Sequence, residues 1–365
     1  MKNMVRKKLK YDKKEINNAG IILKDSKSSE EDINKATNVL NNWRAIHRYP
    51  LHIFQMTLKN VSKKCDRDSL IAQRLKRATS IINKLNRKYE GRNPSMQLSQ
   101  MRDIAGCRAI VKNVEIAKKI YIDYYLKGNL KHKRVGKKDY ISFPKKDGYR
   151  SLHIIYEYKS DKGKTDYNGL RVEVQIRSRL QHLWATAIET VDFFTRQAIK
   201  FNEGRPDWAD FFKLVSSAFA ISENCPVIQN TPPDKRELYL KIKEKEKELG
   251  VINRMAGWTS AMKFFNEEVK SKMKGKAKFF LLELDILGEK LSVKSYTKKQ
   301  EDEAIKDYSE LEKRHKGRTD YDVVLVGADT TRDLEKAYPN YFVDTREFIL
   351  ELKKIIEKEI KRTPI

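Results

Sequence analysis

Gly169-Leu-Arg-Val-Glu-Val-Gln-Ile-Arg177 alternates apolar and polar side chains over its whole length. Successive side chains of a strand point to opposite faces of a sheet, so this period of two predicts a strand with one apolar face in the core. The opposite face carries one carboxylate among cations and an amide: Arg171, Glu173, Gln175 and Arg177. Such a face suits a cleft for a polar ligand, and it equally fits the solvent side of a half-buried antiparallel strand.

Other segments of the same region place this strand in a sheet with helices packed on it. Two more strands are expected from short β-branched or aromatic runs, Cys107–Val111 and Ser151–Tyr158. Helices are predicted at about 114–127, 179–200 and 207–223, and a loop rich in Gly, Lys and Pro at 133–150. The fold class indicated is α+β.

The N-terminal region, residues 12–92, is predicted to be mostly helical. Glu31–Ser62 and Asp66–Lys88 repeat apolar residues at spacings of three and four, which is the period of a helix with one buried face.

The C-terminal region predicts a smaller α+β unit. A highly charged segment, Lys235–Lys274, is typical of a solvent-exposed helix or helical hairpin. After it we expect a hairpin (278–286 and 290–296, turning at 287–289), a helix (298–315), a strand (321–328), a short helix (331–338) and a last amphipathic helix (344–361).

The composition indicates a polyanionic partner. Lys and Arg number 77 against 50 acidic residues, which gives a formal charge of +27 over 365 residues. Nucleic acid is the leading candidate, and an anionic membrane surface is a weaker one because no amphipathic anchor stands out. A soluble basic protein with no such partner remains an alternative, since lysine dominates the excess.

Cysteine usage and hydropathy favour a cytoplasmic protein. Cys65, Cys107 and Cys225 form no C-x-x-C pair, so neither a disulfide framework nor a cysteine zinc site is expected. The N-terminus is basic but has no apolar core of a signal peptide, and no run approaches the length of a membrane span.

A carboxylate pair is the first candidate chemical site. In Arg102-Asp-Ile-Ala-Gly-Cys-Arg108, an aspartate stands at the start of a predicted strand, and a glycine and an arginine come after the aspartate. Asp103 and Glu173 together could hold Mg²⁺, which prefers carboxylates plus substrate phosphates. The alternative is a turn aspartate that caps neighbouring backbone amides.

Two basic elements complete the set. The segment from Lys138 to His153 combines lysines, a glycine and an aromatic side chain, so Tyr149 is a candidate stacking platform; a mobile basic loop is the alternative. On the predicted helix, Arg74, Arg77 and Lys84 share one face, which suits phosphates or an adenine ring and also suits a solvated basic surface.

Together these elements resemble the synthetase domain of the RelA/SpoT family. The ordered set R-D-I-x-G-x-R, K-D-Y-I-x-x-P-K-x-x-G-Y-x-S-L-H and E-V-Q-I-R carries the likeness, over residues 40–200. The resemblance implies a mixed five-stranded sheet flanked by helices. It also implies a pyrophosphokinase that moves pyrophosphate from ATP to a ribose 3′-hydroxyl with Mg²⁺.

The resemblance also implies residue roles. Asp103 matches the family's Mg²⁺ ligand, and Glu173 matches the second carboxylate, which binds metal or accepts the hydroxyl proton. The ATP-binding set is Arg74, Lys76, Arg77, Lys84 and Arg108. The acceptor-binding set is Tyr149, which stacks on the acceptor base, with His153, Gln175, Arg177 and Lys145.

The acceptor is left open between tRNA and a nucleotide. Residues 1–40 are too short for the family's hydrolase domain and contain no His-Asp pair, so a synthetase without a hydrolase is expected. The charge of +27 favours the toxic small alarmone synthetase branch, which modifies the 3′-CCA end of tRNA and blocks translation. Candidate tRNA contacts are Lys131, Lys133, Arg134, Lys137 and Lys138; no DNA partner is expected.

The C-terminal region resembles that of CapRel-type fused toxin–antitoxins. The expected domains are 1–225 (synthetase), 226–275 (charged helical connector), 276–345 (pseudo-zinc-finger-like, without zinc) and 346–365 (final helix). In that type a Y-x-x-Y element, here Tyr338 and Tyr341, blocks the ATP site until a phage protein, typically the major capsid protein, releases it. Aromatic packing around a Pro-Asn turn is the plainer interpretation of these tyrosines.

Two other functions compete with this one. The first is a (p)ppGpp or (p)ppApp synthetase whose C-terminal domain mediates oligomerisation, whereas the tRNA interpretation goes with a monomer. The second is a catalytically inactive nucleic-acid-binding module.

Overall fold

The computed structural model describes residues 8–87, 95–161, 163–195, 206–256, 277–285, 290–315, 318, 321–327 and 345–360. Its N-terminal part consists of α1 (Lys13–Ile22), α2 (Glu30–Ile46) and α3 (Arg48–Cys65). Polar side chains determine where the first two helices begin, since Asp12 and Ser29 each accept a hydrogen bond from an amide of the first turn.

Five strands from the middle of the chain form a mixed sheet: β1 (Leu70–Leu75), β2 (Ala105–Val111), β3 (Lys133–Asp139), β4 (Leu152–Glu157) and β5 (Arg171–Ser178). Their order is β3-β4-β5-β2-β1, with β2 and β5 parallel and the other neighbours antiparallel. Val172, Val174 and Ile176 are fully buried, as the alternation predicts. The expected α+β fold with a five-stranded mixed sheet is confirmed.

Three C-terminal strands extend the same sheet: β6 (Ala277–Asp285), β7 (Lys290–Thr297) and β8 (Tyr321–Gly327). β8 pairs with β1 through Gln73 and Arg74, β6 follows β8, and β7 lies at the outer edge. We call residues 277–327 the C-terminal unit. Its hairpin and strand follow the prediction, whereas their addition to the edge of β1 was not foreseen.

Helices cover the sheet and build a second core beside it. They are α4 (Ala78–Asn86), α5 (Val114–Lys119, continued as a π-helix over Ile120–Leu126), α6 (Arg179–Thr195), α7 (Pro206–Ser222), α8 (Lys235–Leu249), α9 (Glu301–Arg314) and α10 (Arg346–Ile360). The main core lies between the five central strands and the helices α3 and α5. The second joins α6, α7, α8 and α10, and a small third core holds α9 on β6, β7 and β8.

The prediction of one helix over Asp66–Lys88 is wrong. Leu70–Leu75 is strand β1, and a helix begins only at Ala78. A short apolar run fits either period, and here pairing with β2 along its whole length decides for the strand. Arg74, Arg77 and Lys84 therefore do not share a helix face: they lie on β1, at the N-cap of α4 and within α4.

Two other expectations need correction. The predicted loop 133–150 begins with strand β3, whose exposed lysines are typical of an edge strand. The charged helix α8 is not wholly exposed, because Leu238, Tyr239, Ile242 and Leu249 are buried in the second core.

Other predicted features lie outside the described residues. They are the turn 287–289, the helix 331–338 and the part of the charged segment that follows residue 256. Within the described residues, no helix has both the length and the apolar character needed to cross a membrane.

Candidate active site

Asp103 lies just before β2, between two lysine ammonium groups. Lys76, at the end of β1, and Lys84, on α4, place their Nζ atoms 3.0 Å and 2.8 Å from its two carboxylate oxygens. Burial alone would raise the pKa of Asp103, but the two lysines outweigh it and lower the pKa below its usual value. Burial lowers the pKa of Lys76, although Asp103 opposes that shift.

Glu173 lies on β5, opposite Gly106 in the parallel pairing with β2. Its Oε1 is 2.9 Å from Nδ1 of His153, and its Oε2 accepts a hydrogen bond of 2.6 Å from Nε2 of Gln175. Burial raises the pKa of Glu173, but the charge and hydrogen bond of His153 and the Gln175 amide together lower it well below its usual range. The carboxylate is therefore ionised at neutral pH.

A hydrogen-bonded chain runs from Glu173 to Arg177. Nε2 of His153 is 2.8 Å from the Tyr149 hydroxyl, to which Arg177 donates at 2.7 Å. Burial raises the pKa of Tyr149, yet Arg177 and His153 overcome it and lower the pKa to about 7. Burial lowers the pKa of His153, but Tyr149 and Glu173 raise it to about 9. The chain is thus an array of alternating charge.

The loop that carries Tyr149 is anchored from behind. Gly148 has φ +93°, and its carbonyl oxygen accepts a hydrogen bond of 2.6 Å from Ser216 on α7. A Cβ atom on Gly148 would lie 2.9 Å from Ser216 Cβ and 3.0 Å from the Trp184 ring, so only glycine fits here. Arg150 ties the loop further, donating to Ser216 and to the Ile141 carbonyl oxygen.

A cavity of about 80 Å³ brings the two carboxylates together. Arg108 lies in it and donates to Oε1 of Gln175 at 3.2 Å. The lining residues are Arg74, Lys76, Asp103, Gly106, Cys107, Arg108, Glu173 and Gln175. Three segments distant in sequence thus converge on one polar cleft with two anions and several cations.

The carboxylate pair fits Mg²⁺. Magnesium is usually held by one or two carboxylates together with substrate phosphates and water, and Asp103 and Glu173 supply such a pair. Among the described residues, no cluster of three or more His, Cys, Asp or Glu side chains offers a protein-only metal cage.

Other predicted site residues lie elsewhere. Lys145 places its Nζ 4.9 Å from the ring centres of both Tyr149 and Tyr140. Arg77 is not among the residues lining the cavity. Arg134 donates to the carbonyl oxygens of Tyr125 and Leu126, which ties β3 to the π-helix.

Three of the other four predicted tRNA contacts, Lys133, Lys137 and Lys138, are exposed on β3, and Lys131 precedes that strand. Tyr338 and Tyr341 lie outside the described residues.

Sequence reasoning missed two contributors. Tyr140 packs edge-on against both Tyr149 and His153, and its place in the quoted loop was the available signal. Glu312 of α9 pairs with Arg44 at 2.9 Å and accepts a hydrogen bond of 3.0 Å from the Ala78 amide, the first of α4. No local pattern could have found that contact, because its partners are more than 230 residues apart.

Part of the chain is similar to known proteins. Residues 73–192 match the region found in RelA / SpoT proteins. The matched residues include both carboxylates, the cations around Asp103 and the whole Tyr149 loop. They do not include the C-terminal unit.

Two curated relatives each match about a third of the chain. GTP pyrophosphokinase YwaC of Bacillus subtilis (strain 168) is 36% identical over 115 residues, 31% of this chain and 52% of the relative. GTP pyrophosphokinase YjbM of the same organism is 30% identical over 129 residues, 34% of this chain and 56% of the relative. The chain thus spans about half the length of these curated relatives.

Solved structures are also similar. Small alarmone synthetase 1 of Bacillus subtilis has a TM-score of 0.40 and 24% identity, covering 49% of this chain and 88% of that one. Small alarmone synthetase 2 has a TM-score of 0.41 and 24% identity, covering 50% and 93%.

Proposed function

We propose that this protein is a pyrophosphokinase that transfers the terminal diphosphate of ATP to a ribose 3′-hydroxyl. The observation that carries the proposal is the cleft in which Asp103 and Glu173 face each other amid lysines and arginines. The match of residues 73–192 to the region found in RelA / SpoT proteins supports the same chemistry.

Charge neutralisation is the main task of such a site. The 3′-oxygen attacks the β-phosphorus, the bond from that phosphorus to the bridging oxygen of the α-phosphate breaks, and AMP leaves with the bond electrons. Lys76, Lys84, Arg74 and Arg108 are placed to hold the phosphate oxygens as charge shifts during transfer. Asp103 and Glu173 would hold Mg²⁺, which, when bound, supplies further neutralisation of the phosphates.

The hydroxyl proton passes to Glu173 in this scheme. Its lowered pKa makes Glu173 a weak base. That is sufficient, because phosphoryl transfer depends on positioning and electrostatic stabilisation rather than on a strong base. Tyr149 offers its ring to the acceptor base, while Arg177 and His153 fix the ring through the hydroxyl.

We infer that the acceptor is the 3′ end of tRNA, in line with the charge of +27. A guanine nucleotide is the second candidate, because both curated relatives are named GTP pyrophosphokinases. The test incubates the full chain and Mg²⁺ with ATP labelled in the terminal phosphate, together with tRNA, GDP or GTP. Label on tRNA supports the first acceptor, and label on GDP or GTP alone supports the second.

Replacing either carboxylate tests the site itself. We expect Asp103→Ala and Glu173→Ala each to abolish transfer with an unchanged circular dichroism spectrum, since each removes a phosphate- or metal-facing charge. The control is Asp161→Ala, because Asp161 belongs to an exposed ion pair at the surface. Asp139→Ala is not suitable, because the Asp139 carboxylate organises the acceptor loop. Substantial activity in either carboxylate variant contradicts the assignment.

Regulation by the C-terminal region is part of the proposal. β8 pairs with β1 at Arg74, so the C-terminal unit sits beside a predicted ATP-binding residue. We propose that this region holds the enzyme inactive through Tyr338 and Tyr341 until a phage capsid protein binds it. Tyr338→Ala with Tyr341→Ala should then raise transfer by the full chain without capsid protein; unchanged transfer rejects the role of the tyrosines.

A further inference from the structure

A second, larger cavity opens on the far side of the Tyr149 loop. Its volume is about 920 Å³. One wall is the loop segment 142–146, the opposite wall is the segment 226–231, and α7 and α8 contribute Asp210, Lys213, Leu214 and Lys245. We call this cavity the lysine groove.

The charge of the groove is predominantly positive. Lys145 and Lys146 come from the loop, Lys213 from α7 and Lys245 from α8. Among the described residues that line the groove, Asp210 is the one acidic side chain, and it pairs with Lys213 at 3.1 Å. The other three lysines, two on the loop and one on α8, are therefore available to a polyanion running through the groove.

Phe143 is displayed at the edge of the groove. Its side chain is 78% exposed, more than any other large hydrophobic residue in the described part of the chain. The loop around it is ordered, because the Asp139 carboxylate accepts from the Ile141 and Ser142 amides at 2.9 Å and 2.8 Å, and the Phe143 amide donates to the Asp139 carbonyl oxygen. A ring held exposed on an ordered loop is already placed to stack on a partner, so little conformational freedom is lost on binding.

The groove is continuous with the candidate acceptor site. Lys145 lines the groove and also lies over the ring of Tyr149, with its Nζ 4.9 Å from the ring centre. A chain whose last base stacks on Tyr149 would therefore pass Lys145 and enter the groove beside Phe143.

We propose that the lysine groove binds the single-stranded 3′ segment of an RNA acceptor, with Phe143 stacking on a base upstream of the one on Tyr149. An aromatic platform among cations is the usual way in which proteins hold unpaired bases and their phosphates. A duplex offers no free base face to Phe143, so the groove selects an unpaired end. This inference rests on the proposed function and names the part of the acceptor that the site reads.

Fluorescence anisotropy with labelled RNA tests the groove directly. The probes are a short single-stranded RNA ending in CCA with a free 3′-hydroxyl, a blunt hairpin of the same composition and a poly-glutamate peptide. The variants of the full chain are Phe143→Ala and Lys146→Ala with Lys245→Ala. The matched controls are Leu350→Ala, 57% exposed on α10, and Lys353→Ala, exposed on the same helix.

Loss of the stacked base should raise the Kd for single-stranded RNA by about 5- to 100-fold in Phe143→Ala. The double lysine variant should lower the slope of log affinity against log salt by about 1.4, or ~0.7 for each phosphate contact. Neither control should change Kd.

In the binding assay, the inference is overturned by single-stranded RNA affinity equal to wild type in both groove variants, by equal affinity for the hairpin, or by tighter binding of poly-glutamate than of RNA. These failures differ from failure of the proposed function. Transfer to tRNA that is insensitive to Phe143→Ala rejects the groove and keeps the pyrophosphokinase. Groove-dependent RNA binding without transfer to any acceptor keeps the groove and rejects the pyrophosphokinase.

Discussion

Tyr149 is the residue whose chemistry differs most from its sequence-based role. The motif predicts an aromatic platform, and the structure adds a phenol between Arg177 and His153 with a pKa lowered to about 7. The His153 cation lies between the ionised phenol and the Glu173 carboxylate and stabilises both, whereas the two anions repel each other. Because the phenol and the imidazole are coupled, the two titrate as a pair.

This coupling predicts a phenol that ionises near neutral pH. Ultraviolet difference titration of wild type should show one tyrosine with a midpoint at about 7, and Tyr149→Phe should lose that step. Arg177→Met should shift the midpoint upward, because it removes the largest stabilising charge of the phenolate. Tyr140→Phe is the control: burial raises the pKa of Tyr140, so its removal leaves the step in place. A first ionisation near the usual value of 10 in wild type would contradict the predicted charge array.

At the same scale, the motifs named Asp103, Glu173 and Arg108 but did not reveal the side chains that pair with them. The three residues lie in one cleft. We call Lys76 and Lys84, which both contact Asp103, the Asp103 clamp. The clamp forms because α4 begins shortly after β1 ends, and the prediction of one helix from Arg74 to Lys84 hid that arrangement.

At the scale of elements, the loop 140–151 behaves as a rigid part of the helical core. Gly148 contacts α6 and α7 through Trp184 and Ser216, and hydrogen bonds join Lys145 to both Gly148 and Tyr149. The sequence, rich in Gly, Lys and Pro, leaves a mobile loop open as the alternative, because it does not reveal the long-range contacts that hold the loop.

Gly148→Ala should therefore lower the free energy of unfolding more than Gly169→Ala does. Gly169 has a similar backbone, φ +83° against +93°, but an added Cβ there meets no atom within 4 Å. Both alanine variants carry the cost of positive φ, about 1 to 2 kcal/mol. Gly148→Ala also overlaps Ser216 and Trp184, which adds about 1 to 3 kcal/mol.

Urea unfolding of both variants measures the difference in the free energy of unfolding. Gly148→Ala should be the less stable by at least about 1 kcal/mol, and it should also weaken acceptor binding, because Tyr149 is the next residue. Equal losses in the two variants would mean that the loop yields freely and is not anchored.

At the scale of the whole molecule, the C-terminal unit is joined to the sheet by few strand pairs and a strong polar contact. Among the described residues, β8 and β1 pair at Gln73 and Arg74 alone. One buried polar contact is made by Glu312, which pairs with Arg44 and accepts hydrogen bonds from the Tyr308 hydroxyl at 2.7 Å and from the Ala78 amide. Arg48 also pairs with Glu301 of α9. The sequence predicts the elements of this unit, but not the edge on which they dock, because docking depends on side chains far apart in the chain.

Glu312 connects the C-terminal unit to the active site through two short paths. It completes the N-terminus of α4, which carries Lys84, and it holds Arg44, whose Nε donates to the Lys76 carbonyl oxygen at 3.0 Å. Both lysines of the Asp103 clamp therefore depend on the same carboxylate. Docking of the unit and the arrangement of the clamp should vary together.

Glu312→Ala tests this dependence. The Arg44 and Glu312 side chains are 4% and 11% exposed, and removing one partner of a buried ion pair costs about 3 to 5 kcal/mol. Glu310→Ala, on the exposed side of α9 and 58% exposed, should cost less than about 1 kcal/mol. Hydrogen exchange should then rise in α4 and in the C-terminal unit for Glu312→Ala alone, and the KM for ATP should change with it. If exchange rises in the C-terminal unit while α4 and the KM stay as in wild type, Glu312 holds the unit without positioning the lysines, and the coupling through α4 is wrong.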